Sequence, residues 1–427
     1  MMWVYHILST LTAFIAVPCF AVYSILTNSK RRGLWHHFGF VPALPESAEK
    51  KTLWIYALSL GEVTAAAPVL KIIHQKRPDL RLVVSVTTDT GYDGARQKIS
   101  FAEQIFFHPL DCLPFTLTAL NRIRPDVFVV TDTGFWPGLL DLLAGREIPA
   151  LLFNGRISQR SFTRYQMLGF LSKNLFDGFR LLCMQSEGGK ESLKKLGVEA
   201  DRLKVIGDPK FDALETVPEG DRREIRSGLG IPATSPVWVA GSTHSGEEEI
   251  ILETFQNLRK KFSDLVLVLA PRRLERVHDV ETLLETRKMP FARRTAIGES
   301  SAGKNQVILL NTMGELSKLY SIGEITFVGK SLIPPGGGHS LMEPVAQGKP
   351  VLHGPHIENF RQVADELRQQ GLAFPVNNAE EMETVLTSFL EDSSKRGGLV
   401  DKAKSWIQAN KGASRRMAEI VLEQLKD

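Results

Sequence analysis

The stretch LWIYALSLGEVTAAAPVLKIIHQKRPDLRLVVSVTT, residues Leu53–Thr88, decides the fold class. It begins with a short apolar run, continues with an amphipathic helical pattern and ends in a second apolar run. Two buried strands joined by a helix form a βαβ unit, in which the strands run parallel. The same alternation continues to about residue 212 and restarts at Val237. The sequence therefore predicts an α/β protein with two Rossmann-like, doubly wound domains in series.

Composition narrows the class of protein further. The 427 residues exceed what one core usually organises, and the 43% hydrophobic and 23% charged contents are normal for a folded chain. The net charge of +4 is mild, and no basic patch alternates with aromatic residues, so a nucleic-acid-binding protein is not indicated. Cys19, Cys112 and Cys183 are far apart, which argues against disulfides or a zinc site and fits a reducing compartment.

The N-terminal segment Met2–Leu26 contains no Asp, Glu, Lys or Arg and is long enough to cross a bilayer. The basic residues Lys30–Arg32 follow it, whereas a cleaved signal peptide carries its positive charge first. This order predicts a membrane anchor with the rest of the chain in the cytoplasm. Because His6 and Pro18 weaken a span, the alternative is a buried helix or one that lies on the membrane.

In open parallel sheets, ligands bind beyond the carboxyl ends of the strands, so residues just after each strand are site candidates. Glu62 follows the first strand, where a carboxylate can take a proton from a hydroxyl or simply cap a helix. Asp132 follows the fourth strand and could equally be an N-cap. Lys210, in the GDPKFD motif that ends the last strand of the first domain, could stabilise a leaving phosphate or be a linker lysine.

The second domain carries several strand-to-helix turns that suit an anion. The turn AGSTHSGEEEI at Ala240–Ile250 offers backbone N–H groups and hydroxyls, and Asn311–Leu316 is a similar turn. Gly336–Gly338 would let the backbone approach a ligand, the helix after them would face phosphate, and Glu343 would accept hydrogen bonds from ribose. Each alone could be an ordinary capped turn. Together they predict the nucleotide site of a nucleotide-sugar transferase, without a Walker loop.

Two other patterns do not indicate a site. The stretch GLGIPA at Gly228–Ala233 fits GxGxxA only superficially, because no strand precedes it and a proline interrupts the helix start. The histidines His339, His353 and His356 do not share one helical face, so no metal site is predicted.

Ten short motifs in order resemble the Kdo (3-deoxy-D-manno-octulosonic acid) transferases of Gram-negative lipopolysaccharide assembly. The similarity extends from about Arg31 to the C-terminus. The motifs are SLGE, FWP, NGRIS, GDPKFD, GSTHSGEEE, PRRLER, TMGEL, FVGKSL, GGHSLMEP and GPHIENF.

The resemblance implies a GT-B fold, with two domains facing each other across a cleft, and inverting, metal-independent transfer from CMP-Kdo to a lipid A precursor. It implies no cofactor, and the inner leaflet of the membrane as a partner. Glu62 would be the general base, and Asp132 and Lys210 would stabilise the transition state. The implied CMP-binding residues are Pro271, Arg272, Met313, Gly314, Glu315, Ser340, Leu341, Met342 and Glu343.

The predicted domains are an anchor and juxtamembrane segment at 1–42, an acceptor domain at 43–212, a CMP-sugar domain at 213–395 and C-terminal helices at 396–427. A further hypothesis is that Arg156, Arg160 and Arg164, with Lys30–Arg32, meet anionic headgroups or lipid phosphates. The alternative is ordinary helix surface charge.

Three motifs depart from the family pattern. Asp132-Thr133-Gly134 replaces Glu-Thr-Glu, Ser340–Glu343 replaces Asn-Pro-Leu-Glu, and Pro271-Arg272-Arg273 replaces Pro-Arg-His. The shorter acid at position 132 indicates either a different acceptor or a shift of the backbone that compensates for it. The alternatives are a GT-B transferase with another nucleotide sugar or acceptor, and a catalytically weakened relative that binds lipid or a partner.

Overall fold

The computed structural model describes residues 2–26, 32–45, 50–132, 135–169, 175–297 and 306–426. The chain divides into two compact units, Met1–Ala213 with Asn410–Asp427, and Leu214–Ala409. Each unit contains a seven-stranded sheet in which every strand pair is parallel. The predicted α/β class with two Rossmann-like sheets is therefore confirmed.

The first sheet has the strand order β3-β2-β1-β4-β5-β6-β7. Its strands are β1 (Thr52–Ala57), β2 (Arg81–Val86), β3 (Gln104–Phe107), β4 (Val127–Thr131), β5 (Ala150–Gly155), β6 (Leu181–Met184) and β7 (Leu203–Val205). The helices before and between them are α1 (Met2–Leu26), α2 (Leu34–His37), α3 (Leu60–Lys76), α4 (Asp89–Lys98), α5 (Leu113–Ile123), α6 (Pro137–Ala144), α7 (Gln159–Leu168) and α8 (Glu187–Lys195).

Strand β1 shows why this sheet is covered on both faces. Its six residues are all buried, and successive side chains point to opposite faces. Leu53 and Ile55 pack in one core with Val63 of α3, whereas Trp54 packs in a second core with Leu139 of α6. A strand that buries both faces needs a continuous apolar run, which is what the sequence has at this point.

The second sheet has the order β10-β11-β9-β8-β12-β13-β14. Its strands are β8 (Val237–Thr243), β9 (Val266–Pro271), β10 (Phe291–Arg293), β11 (Val307–Leu309), β12 (Ile325–Val328), β13 (Val351–His353) and β14 (Ala373–Pro375). The helices of this unit are α9 (Glu219–Gly228), α10 (Glu247–Lys261), α11 (Val277–Thr286), α12 (Leu316–Leu319), α13 (Met342–Ala346), α14 (Arg361–Gln369), α15 (Ala379–Glu391) and α16 (Ser393–Asn410).

The end of the chain returns to the first unit as α17 (Ala413–Gln424). Met417 and Val421 of this helix lie in the same core as Val63 of α3. Asp212 fixes its start, because its two carboxylate oxygens accept hydrogen bonds of 2.6 Å from the N–H groups of Gly412 and Ser414. This return was not part of the sequence prediction.

Strand order places a topological switch point in each sheet. In the first sheet the chain moves outward from β1 on one side and from β4 on the other, with Ala57 paired to Thr131 at the carboxyl ends. In the second sheet β8 and β12 are the corresponding neighbours, with Gly241 paired to Val328. Ligands of open α/β sheets bind at such points, so the loops after these four strands are where a site is expected.

One predicted element is wrong in extent. The last strand of the first domain does not include GDPKFD but ends at Val205. Gly207 has φ 87° and Pro209 lacks an N–H to donate, so Pro209–Phe211 forms a 3₁₀ turn instead.

The N-terminal segment forms helix α1, and its first turns pack against α5 and α6. Tyr5 Oη donates to Asp111 Oδ2 over 2.6 Å, and His6 Nε2 lies 2.9 Å from Asp141 Oδ2. Within the described ranges, we find no helix that combines the length and apolar character needed to cross a membrane. Lys30, Arg31, Thr133 and Gly134 lie outside the described residues.

Candidate functional site

Glu62 lies in the first turn of α3, directly after β1. It forms a capping box with Ser59, whose N–H donates to Glu62 Oε2 over 2.9 Å and whose hydroxyl contacts the same oxygen. Glu62 therefore caps helix α3, which is the alternative that the sequence left open. Within the described part of the chain, however, both hydrogen bonds that this half-buried side chain accepts are made to Oε2. Oε1 is the oxygen that can still take a proton.

Asp132 follows β4 with a left-handed backbone, φ 65°, and is only 7% exposed. Aspartate is one of the few residue types that adopts this conformation with some frequency. Its carboxylate forms an ion pair with Arg156, which follows β5. The neighbouring loops of β4 and β5 are thereby joined at the carboxyl edge of the sheet.

Arg156 is the centre of a charged cluster. Burial alone would lower the pKa of its guanidinium, but Asp132, Asp208 and Glu62 raise this pKa above its usual value. Burial raises the pKa of Asp208, although the N–H and charge of Lys210 and the charge of Arg156 oppose the shift. The backbone N–H of Lys210 donates to Asp208 Oδ1 over 2.9 Å. The three predicted catalytic residues thus lie in one electrostatic cluster, together with Arg156 and Asp208.

Two neighbouring arginines do not join this cluster. Arg160 and Arg164 are exposed on α7, whereas Arg156 keeps about half of its side chain exposed while paired to Asp132. The contact of all three arginines with anionic headgroups stays a prediction.

In the second unit, the loops after β8 and β12 are tied together by Glu247, the first residue of α10. This side chain is 1% exposed. Its Oε1 accepts from the N–H groups of Ser331 and Leu332 at 2.8 and 2.9 Å. Its Oε2 accepts from the N–H groups of Lys330 and His244 at 2.8 and 2.9 Å. Four charge-assisted hydrogen bonds fix both loops at the switch point.

The two loops fixed by Glu247 each contribute one imidazole to a pair. His244 Nε2 lies 3.1 Å from His339 Nε2, and the rings stack with their planes 22° apart. Burial lowers the pKa of both, that of His339 to about 4, and the positive charges of Arg272 and Lys330 act in the same direction on His339. Both imidazoles are therefore neutral at neutral pH, with cations around them.

Arg272 and Glu343, two of the predicted CMP-binding residues, belong to the same surroundings. Arg272 is exposed after β9, and its N–H donates to Thr243 O over 3.0 Å. Burial raises the pKa of Glu343, and Arg272 opposes that shift. The structure therefore brings these two predicted residues together, and Arg272 also acts on His339.

The glycines before Glu343 have a different reason than expected. A Cβ atom at Gly336 would lie 2.1 Å from His356 Cβ, and one at Gly337, where φ is 111°, would lie 2.6 Å from Asn359 Nδ2. Close approach to the chain's own segment 356–359 thus accounts for both residues. The following helix α13 has only five residues, so it contributes little dipole toward a phosphate.

The remaining predicted CMP-binding residues divide into two groups. Gly314 and Glu315 line a cavity of about 630 Å³ within this unit, next to the exposed Met313. Glu315 Oε2 accepts from Arg294 Nε over 3.0 Å. Pro271, Leu341 and Met342 have buried side chains and Ser340 a half-buried one, so the first three can meet a ligand only through their backbone. Neither Arg272 nor Glu343 lines this cavity.

Comparison with known proteins identifies the family. Residues 32–213 match the model of the 3-deoxy-D-manno-octulosonic-acid transferase (kdotransferase) family, and residues 247–410 match glycosyl transferases group 1. The chain is 32% identical to the 3-deoxy-D-manno-octulosonic acid transferase of Haemophilus influenzae, over 95% of this chain and 94% of the relative. This chain belongs to the Kdo transferase family.

Two further similarities concern a longer relative and the fold. A bifunctional glycosyltransferase/methyltransferase of Fusobacterium nucleatum is 34% identical over 78% of this chain, which spans about half (52%) of that longer relative. The UDP-GlcNAc 2-epimerase of Neisseria meningitidis, a solved structure, covers 88% of this chain and 99% of its own with a TM-score of 0.58. At 17% identity the second similarity shows the fold alone, which is GT-B-like.

For a Kdo transferase, the sequence analysis missed four residues of these clusters. Arg156 lies in the NGRIS motif and Asp208 in the GDPKFD motif, but nothing in the sequence gave a reason to place either of them in the catalytic cluster. Glu247 and His244 lie in GSTHSGEEE, which was interpreted through its hydroxyls and backbone. The available signal was their place in the family motifs directly after strands, the criterion that had selected Glu62 and Asp132.

Proposed function

We propose that this Kdo transferase family member transfers Kdo from CMP-Kdo to a hydroxyl of a lipid A precursor with inversion at the anomeric carbon. The observation that carries the proposal is the cluster at the switch point of the first sheet. Glu62 lies at this switch point and accepts its described hydrogen bonds at one oxygen only. Its charge acts on Arg156, and Arg156 and Lys210 both act on Asp208. A base with cations beside it is what attack by a sugar hydroxyl on an anionic donor requires.

The reaction needs one proton transfer and one displacement. Glu62 Oε1 takes the proton of the acceptor hydroxyl as its oxygen forms a bond to the anomeric carbon of Kdo. The bond from that carbon to the phosphate oxygen breaks, and CMP leaves with the electron pair. Attack on the face opposite the leaving phosphate inverts the configuration. The acceptor proton ends on Glu62, and no sugar–enzyme bond forms.

Lys210 and Arg156 supply positive charge where negative charge develops or arrives. Asp132 has a separate task here, because it holds Arg156 through the ion pair between the β4 and β5 loops. In the second unit, Arg272 and the imidazole pair offer donors to the phosphate, and Glu343 offers an acceptor to the ribose hydroxyls. These assignments follow from the chemistry of each group and from the family.

We also propose that the protein works at the cytoplasmic face of the inner membrane. Its support is α1, on which Trp3, Ile7, Leu11 and Phe14 are exposed, at 76% and 73% for the first and last of them. Tyr5 and His6 on the same helix hold it to the first unit. An apolar helix surface held beside the sheet would keep the acceptor site at the lipid surface where the acceptor resides.

The test is mass spectrometry of a lipid A precursor incubated with CMP-Kdo and the detergent-purified full-length protein. The wild type adds Kdo, and Glu62→Gln adds none, because the amide cannot take a proton. Glutamine still offers Ser59 N–H an oxygen, so the cap and the fold are retained. Glu187→Gln is the matched control, since Glu187 is also a first-turn glutamate of this unit but is exposed.

The outcomes separate the elements of the proposal. Transfer by the wild type and by Glu187→Gln, but not by a folded Glu62→Gln protein, supports both the reaction and the base. Undiminished transfer by Glu62→Gln overturns the role of Glu62. No transfer by the wild type from CMP-Kdo, with transfer from a UDP-sugar, overturns the donor assignment.

A further inference from the structure

The imidazole pair of the second unit is arranged as a proton acceptor. With the two Nε2 atoms 3.1 Å apart, one ring donates its Nε2–H and the other accepts with its Nε2 lone pair. The donating ring, being neutral, has an unprotonated Nδ1. Either ring can take that part, so the pair can accept one more proton at Nδ1 without breaking the hydrogen bond between the rings.

The charged groups around the pair are mostly positive. Those that act on His244 are Glu247, Lys330, Arg276 and Arg273, and those that act on His339 are Arg272, Lys330 and His244 itself. Glu247 is the one carboxylate among them, and its two oxygens already receive four backbone N–H groups. Burial and these cations therefore disfavour an additional proton on the pair.

We propose that the His244–His339 pair takes up one proton from solvent when the anionic group of the nucleotide donor binds beside it. This inference rests on the proposed function, since it assigns to the donor site a coupling between anion binding and protonation. A phosphate placed among Arg272, Lys330 and the two imidazoles offsets part of the positive charge that disfavours protonation of the pair. The protonated ring then donates from Nδ1 or Nε2 to the anion, which adds a charge-assisted hydrogen bond.

The sign of the pH dependence follows from linkage. Burial and nearby cations lower the pKa of the two imidazoles, that of His339 to about 4. An anion bound beside them raises the pKa of the pair. Between these two values the complex carries one proton more than the free protein. Affinity for the anion therefore rises as pH falls, by up to about tenfold for each pH unit.

The experiment is isothermal titration calorimetry of the full-length, detergent-solubilised protein with the methyl ester of CMP. This phosphodiester has one negative charge throughout the range, so its own titration does not contribute. Titrations at about pH 6, near the ordinary pKa of histidine, are repeated in two buffers of different ionisation enthalpy. The dependence of the measured enthalpy on the buffer gives the number of protons taken up. The methyl ester of UMP is titrated in parallel.

Two variants show whether the proton goes to this pair. The double variant His244→Gln/His339→Gln replaces both rings by hydrogen-bonding groups that do not titrate, so it binds the ester with no proton uptake and with a flat pH profile. His278→Gln is the matched control, because the side chain of His278 is 87% exposed on α11. It takes up protons as the wild type does. Circular dichroism confirms that both variants are folded.

Each outcome decides the proposal. Uptake approaching one proton in the wild type and His278→Gln, and none in the double variant, supports it. Binding without uptake in the wild type overturns it, as does unchanged uptake in the double variant. Binding of the UMP ester alone, with uptake, retains the coupled anion site but contradicts CMP-Kdo as donor. Binding of neither ester overturns both.

Discussion

Replacing Glu247 by glutamine tests whether one buried carboxylate organises the donor site. The change keeps the size of the side chain and substitutes an NH₂ group for one oxygen. Either orientation of the amide leaves two backbone N–H groups facing that NH₂. These are the pair from Ser331 and Leu332, or the pair from Lys330 and His244. A flip of the amide therefore brings no relief.

The expected magnitude follows from those bonds. Two hydrogen bonds to a charged acceptor are lost, at about 1.5 to 3 kcal/mol each, so the two loops lose about 3 to 6 kcal/mol. The side chain is 1% exposed, so water cannot easily replace the missing acceptor. Local opening of the loop after β12 then becomes about 100-fold more frequent or greater.

Hydrogen exchange with mass spectrometry measures this opening, in peptides that cover residues 328–334. A local readout is needed because a chain of two units does not unfold in one two-state step. Glu249→Gln is the matched control, two residues along the same helix turn but exposed. Exchange in Glu247→Gln equal to that in Glu249→Gln would refute the account of Glu247 as the fastening of these loops.

Two further predictions concern packing and thiol chemistry. Gly337→Ala lowers the thermal unfolding temperature by more than one degree, because φ 111° and the contact with Asn359 exclude a Cβ, whereas Gly397→Ala on exposed α16 raises or preserves it. Cys112 and Cys183 resist alkylation at pH 8 until the chain is unfolded, since burial raises their thiol pKa to about 11 and about 12. Rapid labelling of the native protein at either cysteine, seen by peptide mass spectrometry, would contradict that burial.

The sequence predicted the parts of this molecule that depend on local pattern. Continuous apolar runs such as Leu53–Leu58 indicated buried parallel strands, and strand ends selected Glu62 and Asp132 as site candidates. The strand-end argument succeeded because the carboxyl ends of β1 and β4 meet at the switch point of the sheet. The alternation of strands and helices along the chain restricts which strands can lie side by side in the sheet.

Features that depend on distant partners were not predictable in the same way. Asp132 pairs with Arg156, which is 24 residues away in the sequence. The left-handed φ of Asp132 was not predictable either, because an aspartate that caps a helix looks the same in the sequence. The partners of Glu247 lie up to 85 residues away. Gly336 and Gly337 were assigned to ligand approach because nothing local shows that the chain segment around His356 returns to them.

The two sheets carry a carboxylate at equivalent places and use it in opposite ways. Glu62 and Glu247 both lie in the first turn of the helix that follows the strand at a switch point. Glu62 is half-buried and receives its hydrogen bonds at one oxygen, so the second oxygen can exchange a proton with a substrate. Glu247 is wholly buried and receives two N–H groups at each oxygen, so it can only hold the loops. Position in the βαβ unit brings a carboxylate to the site; burial and the number of donors it receives then decide whether it reacts or supports.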